Sequence, residues 1–213
     1  MDIFGSKSYY IISMALIIFA MIFFALRFEK RKPATREVVS IAVMVSLAVI
    51  GRAAFFMTPQ LKPMAAIVII TAAAYGKESG FLCGTLAAFI SNFFFGQGPW
   101  TPWQMFALGL VGFLSGVLFY KRYDGKKIKT TDIVILSMFG VIVVVAVYGI
   151  IMDSATVLMY MDTPTMEAIF AAWATGFIFN CIHGITTALI ILVLGKMILG
   201  KLNRMKIKFG MFR

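Results

Sequence analysis

Apolar positions along this 213-residue chain gather into seven runs, at 9–26, 38–56, 64–75, 80–95, 103–120, 133–152 and 168–199, divided by short polar tracts. Most come close to the roughly 20 residues that an α-helix needs to cross a hydrocarbon core. The pattern predicts an all-α integral membrane protein in which each run is a helix. The third run is short, bracketed by Pro63 and Gly76, and is expected to tilt little or to end below one interface. The seventh exceeds one span and is expected to tilt, kink or extend beyond the bilayer.

Composition points the same way: 61% of residues are hydrophobic and 14% charged, against about 25% charged in a soluble domain. The net charge of +11 raises nucleic acid as a partner until the cations are located. They lie in short tracts between apolar runs, as in a membrane protein that orients itself by its basic loops, so no nucleic-acid partner is expected. With the N-terminus outside and the C-terminus cytoplasmic, all of the 20 Lys and Arg except Lys7, Arg52 and Lys62 fall inside. The first run is open to reading as a signal peptide. However, only Lys7 precedes it, no small-x-small cleavage pattern follows, and "RFEKRK" acts as a stop, so a retained anchor is expected. The expected division is an anchor helix and basic loop (1–35), a membrane core (36–200) and a basic cytoplasmic tail (201–213). Cys83 and Cys181 lie in apolar runs and read as buried small hydrophobes rather than as a disulfide or metal pair.

Candidate chemistry concentrates at the outer helix ends. Run two closes on "GRAAFFMTPQLKP", which puts Arg52 in the spanning stretch with Phe56, Gln60 and Lys62 after it. Run four ends with Ser91, Asn92 and Phe95, and the loop "FFFGQGPWTPWQMF" adds Gln97, Trp100, Trp103 and Gln104. Pro99 and Pro102 fix local dihedrals, so the loop is expected to be stiff and to hold aromatic faces and amides as the wall of a binding pocket. The competing readings are an interfacial aromatic belt for the tryptophans and snorkelling to headgroups for Arg52. In run seven, Trp173, Gly176, Asn180, His183, Gly184 and Thr187 share one helix face. Trp173 and Asn180, nearer the outside, are pocket candidates, whereas His183 is expected to serve interhelical packing.

Small residues form rows at Gly76, Gly80, Gly84 and Ala88, at Gly109, Gly112 and Gly116, and at Ala42 and Ser46. Such rows let helices approach closely. No G-x-x-x-x-G-K-[ST] loop is present, so any ATP drive must come from another subunit. "GFLSG" lacks nucleophile-elbow spacing, H-E-x-x-H is absent, and the sole histidine has no ligand partner at metal spacing, so neither an enzyme nor a metal site is expected. Asp153 and Asp162 are expected in a solvated outer loop, "DSATVLMYMDTPTM". An ion-gradient-driven secondary transporter is the alternative. It calls for an intramembrane ionisable relay, and Arg52 and His183 approach one without an accompanying carboxylate. A cargo-free membrane scaffold is a third reading.

The "GRAAFF" stretch and the block from "AAYGKESGFLCG" through "GPWTPWQMFALGLVGFLSGVL" resemble the substrate-binding S components of energy-coupling-factor (ECF) vitamin transporters, and within them the cobalamin-type branch. The likeness covers about residues 36–200 and is densest over 76–118. It implies a six-helix core, here with one additional N-terminal transmembrane helix, in a bacterial cell membrane. It also implies an outward-facing vitamin pocket built from the outer residues named above. Cobalamin or a related corrinoid is the leading cargo, with flavins, other B vitamins and modified purine bases open. The implied partners are a membrane scaffold subunit and two ATPase subunits, with no cofactor held by this chain. The family's docking pattern A-x-x-x-A corresponds to Ala42 and Ser46, with serine as the second small residue.

Overall fold

The computed structural model describes residues 8–58, 61–123 and 126–212. Each apolar run is a helix: α1 (Ser8–Lys30), α2 (Thr35–Ala54), α3 (Met64–Tyr75), α4 (Lys77–Phe95), α5 (Thr101–Tyr123), α6 (Thr130–Tyr160) and α7 (Met166–Phe209). All but α3 are long and apolar enough to cross a membrane.

The sequence of α3, MAAIVIITAAAY, has no polar face, and a helix that is apolar all round belongs inside. Every one of its 12 residues is buried, with α2, α4, α5 and α7 packed around it. The chain turns from α3 into α4 at Gly76, whose φ of +95° lies where glycine is favoured. α4 and α5 then run at backbone contact. A Cβ on Gly80 would lie 2.7 Å from the Gly112 carbonyl oxygen, and one on Gly84 would collide with the Leu108 backbone. The glycine rows of α4 and α5 therefore serve packing within the chain.

α6 is α-helical over Thr130–Val143 and Ile150–Tyr160, with a π-helical stretch, Val144–Gly149, between. Its last part corrects the expectation of a loop beginning at Asp153. The helix continues because Ile151, Met152, Ala155 and Leu158 still have apolar partners, packing with Trp103 and with Ile17 of α1. Asp162 does lie in the exposed loop that follows. α7 runs unbroken for 44 residues, about 66 Å at 1.5 Å per residue, so the basic residues from Lys201 to Lys208 prolong the same helix. Beyond Gly210 the chain folds back. The Phe212 ring stacks on Tyr75 at 4.1 Å, its carbonyl accepts from the Tyr120 hydroxyl at 2.6 Å, and its N–H donates to the Glu37 carboxylate.

α1 packs on the outside of this core, against α4, α5 and α6. Phe24 stacks on Phe81 at 4.1 Å and meets Phe113 at 5.0 Å. The ends of the bundle differ in chemistry. One gathers basic residues and ion pairs: Arg31 with Glu37 (3.3 Å) and Glu78 (3.2 Å), and Arg122 with Asp132 (2.9 Å). The other carries Arg52, the α4–α5 loop and the exposed rings of Phe93 and Phe94.

Candidate functional site

At this aromatic end, side chains from four helices form a hydrogen-bonded chain. Arg52, in the last turn of α2, donates through Nη1 to Ser91 Oγ at 2.6 Å and Asn92 Oδ1 at 2.8 Å. Asn92, fully buried on α4, donates through Nδ2 to Thr101 Oγ1 at 3.2 Å and Gln104 Oε1 at 2.8 Å on α5. Gln104 in turn donates to the Tyr148 hydroxyl at 3.4 Å, and the Tyr148 ring meets His183 of α7 edge-on at 5.2 Å. Tyr148 lies in the π-helical stretch of α6, a departure from regular helix that often marks functional positions. Buried amides linked in this way fix one another's orientation.

Aromatic rings flank the chain. The Arg52 guanidinium lies 4.8 Å from the Phe95 ring centroid, and Phe56 stacks on Phe95 at 4.9 Å. Lys62, half-buried in the α2–α3 connection, brings a second cation. Burial, and then the neighbouring Arg52 charge, push its ammonium pKa below the ordinary value. Neither cation has an ion pair among the described residues. The geometry thus sets two positive groups and stacked rings beside a buried amide and phenol network that orients them, a set suited to a flat ligand with several carbonyl or ring-nitrogen acceptors.

The α4–α5 loop is knitted by Thr101. Its Oγ1 donates to Gln97 Oε1 at 2.9 Å and accepts from the Gly98 N–H at 3.2 Å, while Gln97 Nε2 donates to the Phe89 carbonyl at 3.2 Å. Trp100 lies against Gly98, where a Cβ would meet its indole. Trp103 turns the other way, to α1 and α6. It is 7% exposed, packed with Ile17 and Ala155, and its indole N–H has no partner among the described residues.

The remaining candidates form other groups. Trp173 Nε1 donates to Ser154 Oγ at 2.9 Å, and Asn180 Nδ2 to Asp153 Oδ2 at 2.8 Å. Gly176 also faces the Asp153 carboxylate. The polar face of α7 is thus the α6–α7 interface. Ala42 and Ser46 line an open groove of about 430 Å³ on α2 with Val39, Val43, Leu47 and Ile50. The Ser46 hydroxyl donates back to the Ala42 carbonyl at 2.9 Å, so serine presents a surface almost as small as alanine. Gln60 lies outside the described residues. Sequence reasoning did not single out Thr101 or Tyr148, and it expected Asp153 in a solvated loop. The hydroxyl of Thr101 between two prolines was a usable signal, whereas "VVAVYG" gives no local sign of a π-helical stretch.

A family model described as "ECF-type riboflavin transporter, S component" matches residues 32–199. Two UPF0397 proteins of Aliivibrio fischeri, from strains MJ11 and ATCC 700601 / ES114, are each 29% identical over 116 residues, covering 49% of this chain and 63% of theirs. A UPF0397 protein of Aliivibrio salmonicida (strain LFI1238) is 32% identical over 87 residues, covering 38% of this chain and 47% of its own. The chain therefore spans less than two thirds of the length of these curated relatives. No solved structure matches it significantly.

Proposed function

The chain belongs to the ECF-type riboflavin transporter S-component family, and on that premise we propose that it is the substrate-capturing subunit of an ATP-driven importer whose cargo is a flavin-type vitamin. The observation that carries this reading is the Arg52–Asn92–Gln104–Tyr148 chain beside stacked Phe56 and Phe95. An isoalloxazine presents a flat aromatic face and a uracil-like edge with two carbonyls flanking an N–H. The cationic donors of Arg52 and Lys62 complement those carbonyls, and phenylalanine faces complement the ring. The family match favours a flavin over the corrinoid expected from sequence and gives the corrinoid no support.

In this reading the aromatic end faces outward and the basic end faces the cytoplasm, as basic-loop asymmetry supports. ATP hydrolysis belongs to partner subunits on a membrane scaffold, and the Ala42–Ser46 groove of α2 is the surface offered to that scaffold. The test is a fluorescence titration of riboflavin with the detergent-purified chain, alongside cobalamin, cobinamide and thiamine. Saturable one-to-one quenching by the chain, with no binding of the other three, is expected. Folded protein that leaves riboflavin fluorescence unchanged overturns the flavin assignment.

Asp153 supports a second reading, because it places a half-buried carboxylate within a spanning helix beside Asn180. Gradient-driven transport predicts uptake that survives loss of the partner ATPases and collapses with a protonophore.

A further inference from the structure

At the basic end, between residues 126–128 and the extension of α7, lies an open cavity of about 600 Å³. Lys126, Lys127, Lys196, Arg204 and Lys208 line it together with Asn203, and no carboxylate among the described lining residues offsets their charge. The nearby Asp132 is already engaged by Arg122 and by the Lys129 N–H. Among the described residues Lys196 makes a long contact to Thr130 Oγ1, at 3.5 Å, and Lys208 lies over the Phe209 ring at 5.3 Å. Five cations lining one concavity give it a positive potential that favours an anion there.

Asn203 supplies an independent observation. It is 6% exposed, and its Nδ2 donates to the Tyr123 carbonyl at 2.8 Å. That carbonyl fixes the amide orientation, because the flipped amide would set two acceptors against each other. Its Oδ1 is then left buried with no partner among the described residues. An orphaned buried acceptor in the wall of a cationic cavity calls for a ligand that is anionic and also carries a hydrogen-bond donor.

The surroundings indicate where such a ligand comes from. Leu189, Val193 and Met197 are exposed apolar residues at four-residue steps along α7, on a path that leads to Gly200 in the cavity wall. A Cβ on Gly200 would meet nothing within 4 Å, so the wall is open there. An apolar track rising along a membrane helix into a basic pocket matches a phospholipid, with acyl chains on the track and phosphate among the cations.

We infer that this cavity binds the glycerophosphate headgroup of an anionic phospholipid, with the phosphate held by the lysines and Arg204 and a glycerol hydroxyl donating to Asn203 Oδ1. The inference is independent of the transported cargo, and its test does not involve transport. The full chain in neutral detergent would be titrated with dihexanoyl phosphatidylglycerol, dihexanoyl phosphatidylcholine and inorganic phosphate, with binding read by native mass spectrometry. Saturable binding of the phosphatidylglycerol, at least about tenfold tighter than either comparator, is expected. Two variants probe the site differently: Lys127→Gln with Arg204→Gln removes charge, and Gly200→Leu fills the opening while leaving charge unchanged. Both are expected to weaken phosphatidylglycerol binding by about tenfold or more. Equal binding of inorganic phosphate overturns the lipid assignment, equal binding of phosphatidylcholine overturns the anionic one, and unchanged binding in Gly200→Leu places the lipid elsewhere.

Discussion

Arg52 Nη1 lies 2.8 Å from Asn92 Oδ1 across the contact between α2 and α4. The same nitrogen reaches Ser91 Oγ, so a single guanidinium end orients two neighbouring residues of α4. Asn92, thus turned, presents both its amide hydrogens to α5. Arg52 thereby sets the orientation of the whole polar chain from its open end. Replacing it with glutamine removes the cation, its stacking on Phe95 and the pin on Asn92 together. Hydrogen bonds to charged groups contribute about 1.5–3 kcal/mol each, so riboflavin affinity is expected to fall on the order of a hundredfold in Arg52→Gln. Fluorescence titration checks this. Arg52→Lys should retain part of the affinity, because an ammonium reproduces the charge without the flat guanidinium face.

Trp100 and Trp103 are expected to separate cleanly in single substitutions. Trp103 is buried against Ile17 and Ala155, so Trp103→Ala should lower stability by about 3–5 kcal/mol, the usual cost of truncating a buried tryptophan. Trp100, on the loop, should affect cargo affinity with little change in melting temperature. Thermal unfolding and ligand titration on both variants test the assignment.

Much of this architecture was legible in sequence, and the failures have identifiable causes. The third run, short and bracketed by Pro63 and Gly76, is a helix as its apolar run predicts, and the glycine rows of α4 and α5 pack as their three- and four-residue spacing implies. Asp153 was misread because "DSATVLMYMDTPTM" mixes polar residues into an apolar helix end, and one carboxylate bonded to Asn180 looks like a loop residue when that partner is unknown. Trp100 and Trp103, three residues apart, look equivalent in sequence. In the fold, one belongs to the loop and the other packs against an added helix. The link from Gln104 to Tyr148 depends on a π-helical stretch, whose changed register shifts side chains off the 3.6-residue face on which sequence patterns rely.

Two glycines should respond oppositely to alanine. A Cβ on Gly112 would collide with the Gly80 carbonyl, so Gly112→Ala must push α4 and α5 apart. Such overpacking typically costs about 1–3 kcal/mol. Gly200→Ala meets open space in the interior of α7 and should be neutral or stabilising by up to about 1 kcal/mol. Melting temperatures of the two variants in the same detergent provide the comparison.

The open groove at Ala42 and Ser46 gives a prediction that distinguishes docking from binding. Both residues are exposed on α2, away from Arg52 and its partners. Ala42→Trp fills the groove and should leave riboflavin titration unchanged while abolishing uptake in cells that supply the scaffold and ATPases. Normal uptake by this variant would remove α2 from the docking surface.

Asp153 decides between the two transport readings. Its Oδ2 accepts from Asn180, and an asparagine at the same position retains a carbonyl acceptor for that bond while losing the charge. If the residue serves only to join α6 to α7, Asp153→Asn should keep both the fold and ATPase-dependent uptake near wild-type levels. Asp153→Leu should then destabilise the protein by about 1–3 kcal/mol, since it leaves the Asn180 donor unpaired. If the carboxylate carries a proton in gradient-driven transport, Asp153→Asn should melt like the wild type yet lose uptake altogether. Stability and uptake measured on the same two variants therefore separate a helix-joining carboxylate from a proton-carrying one.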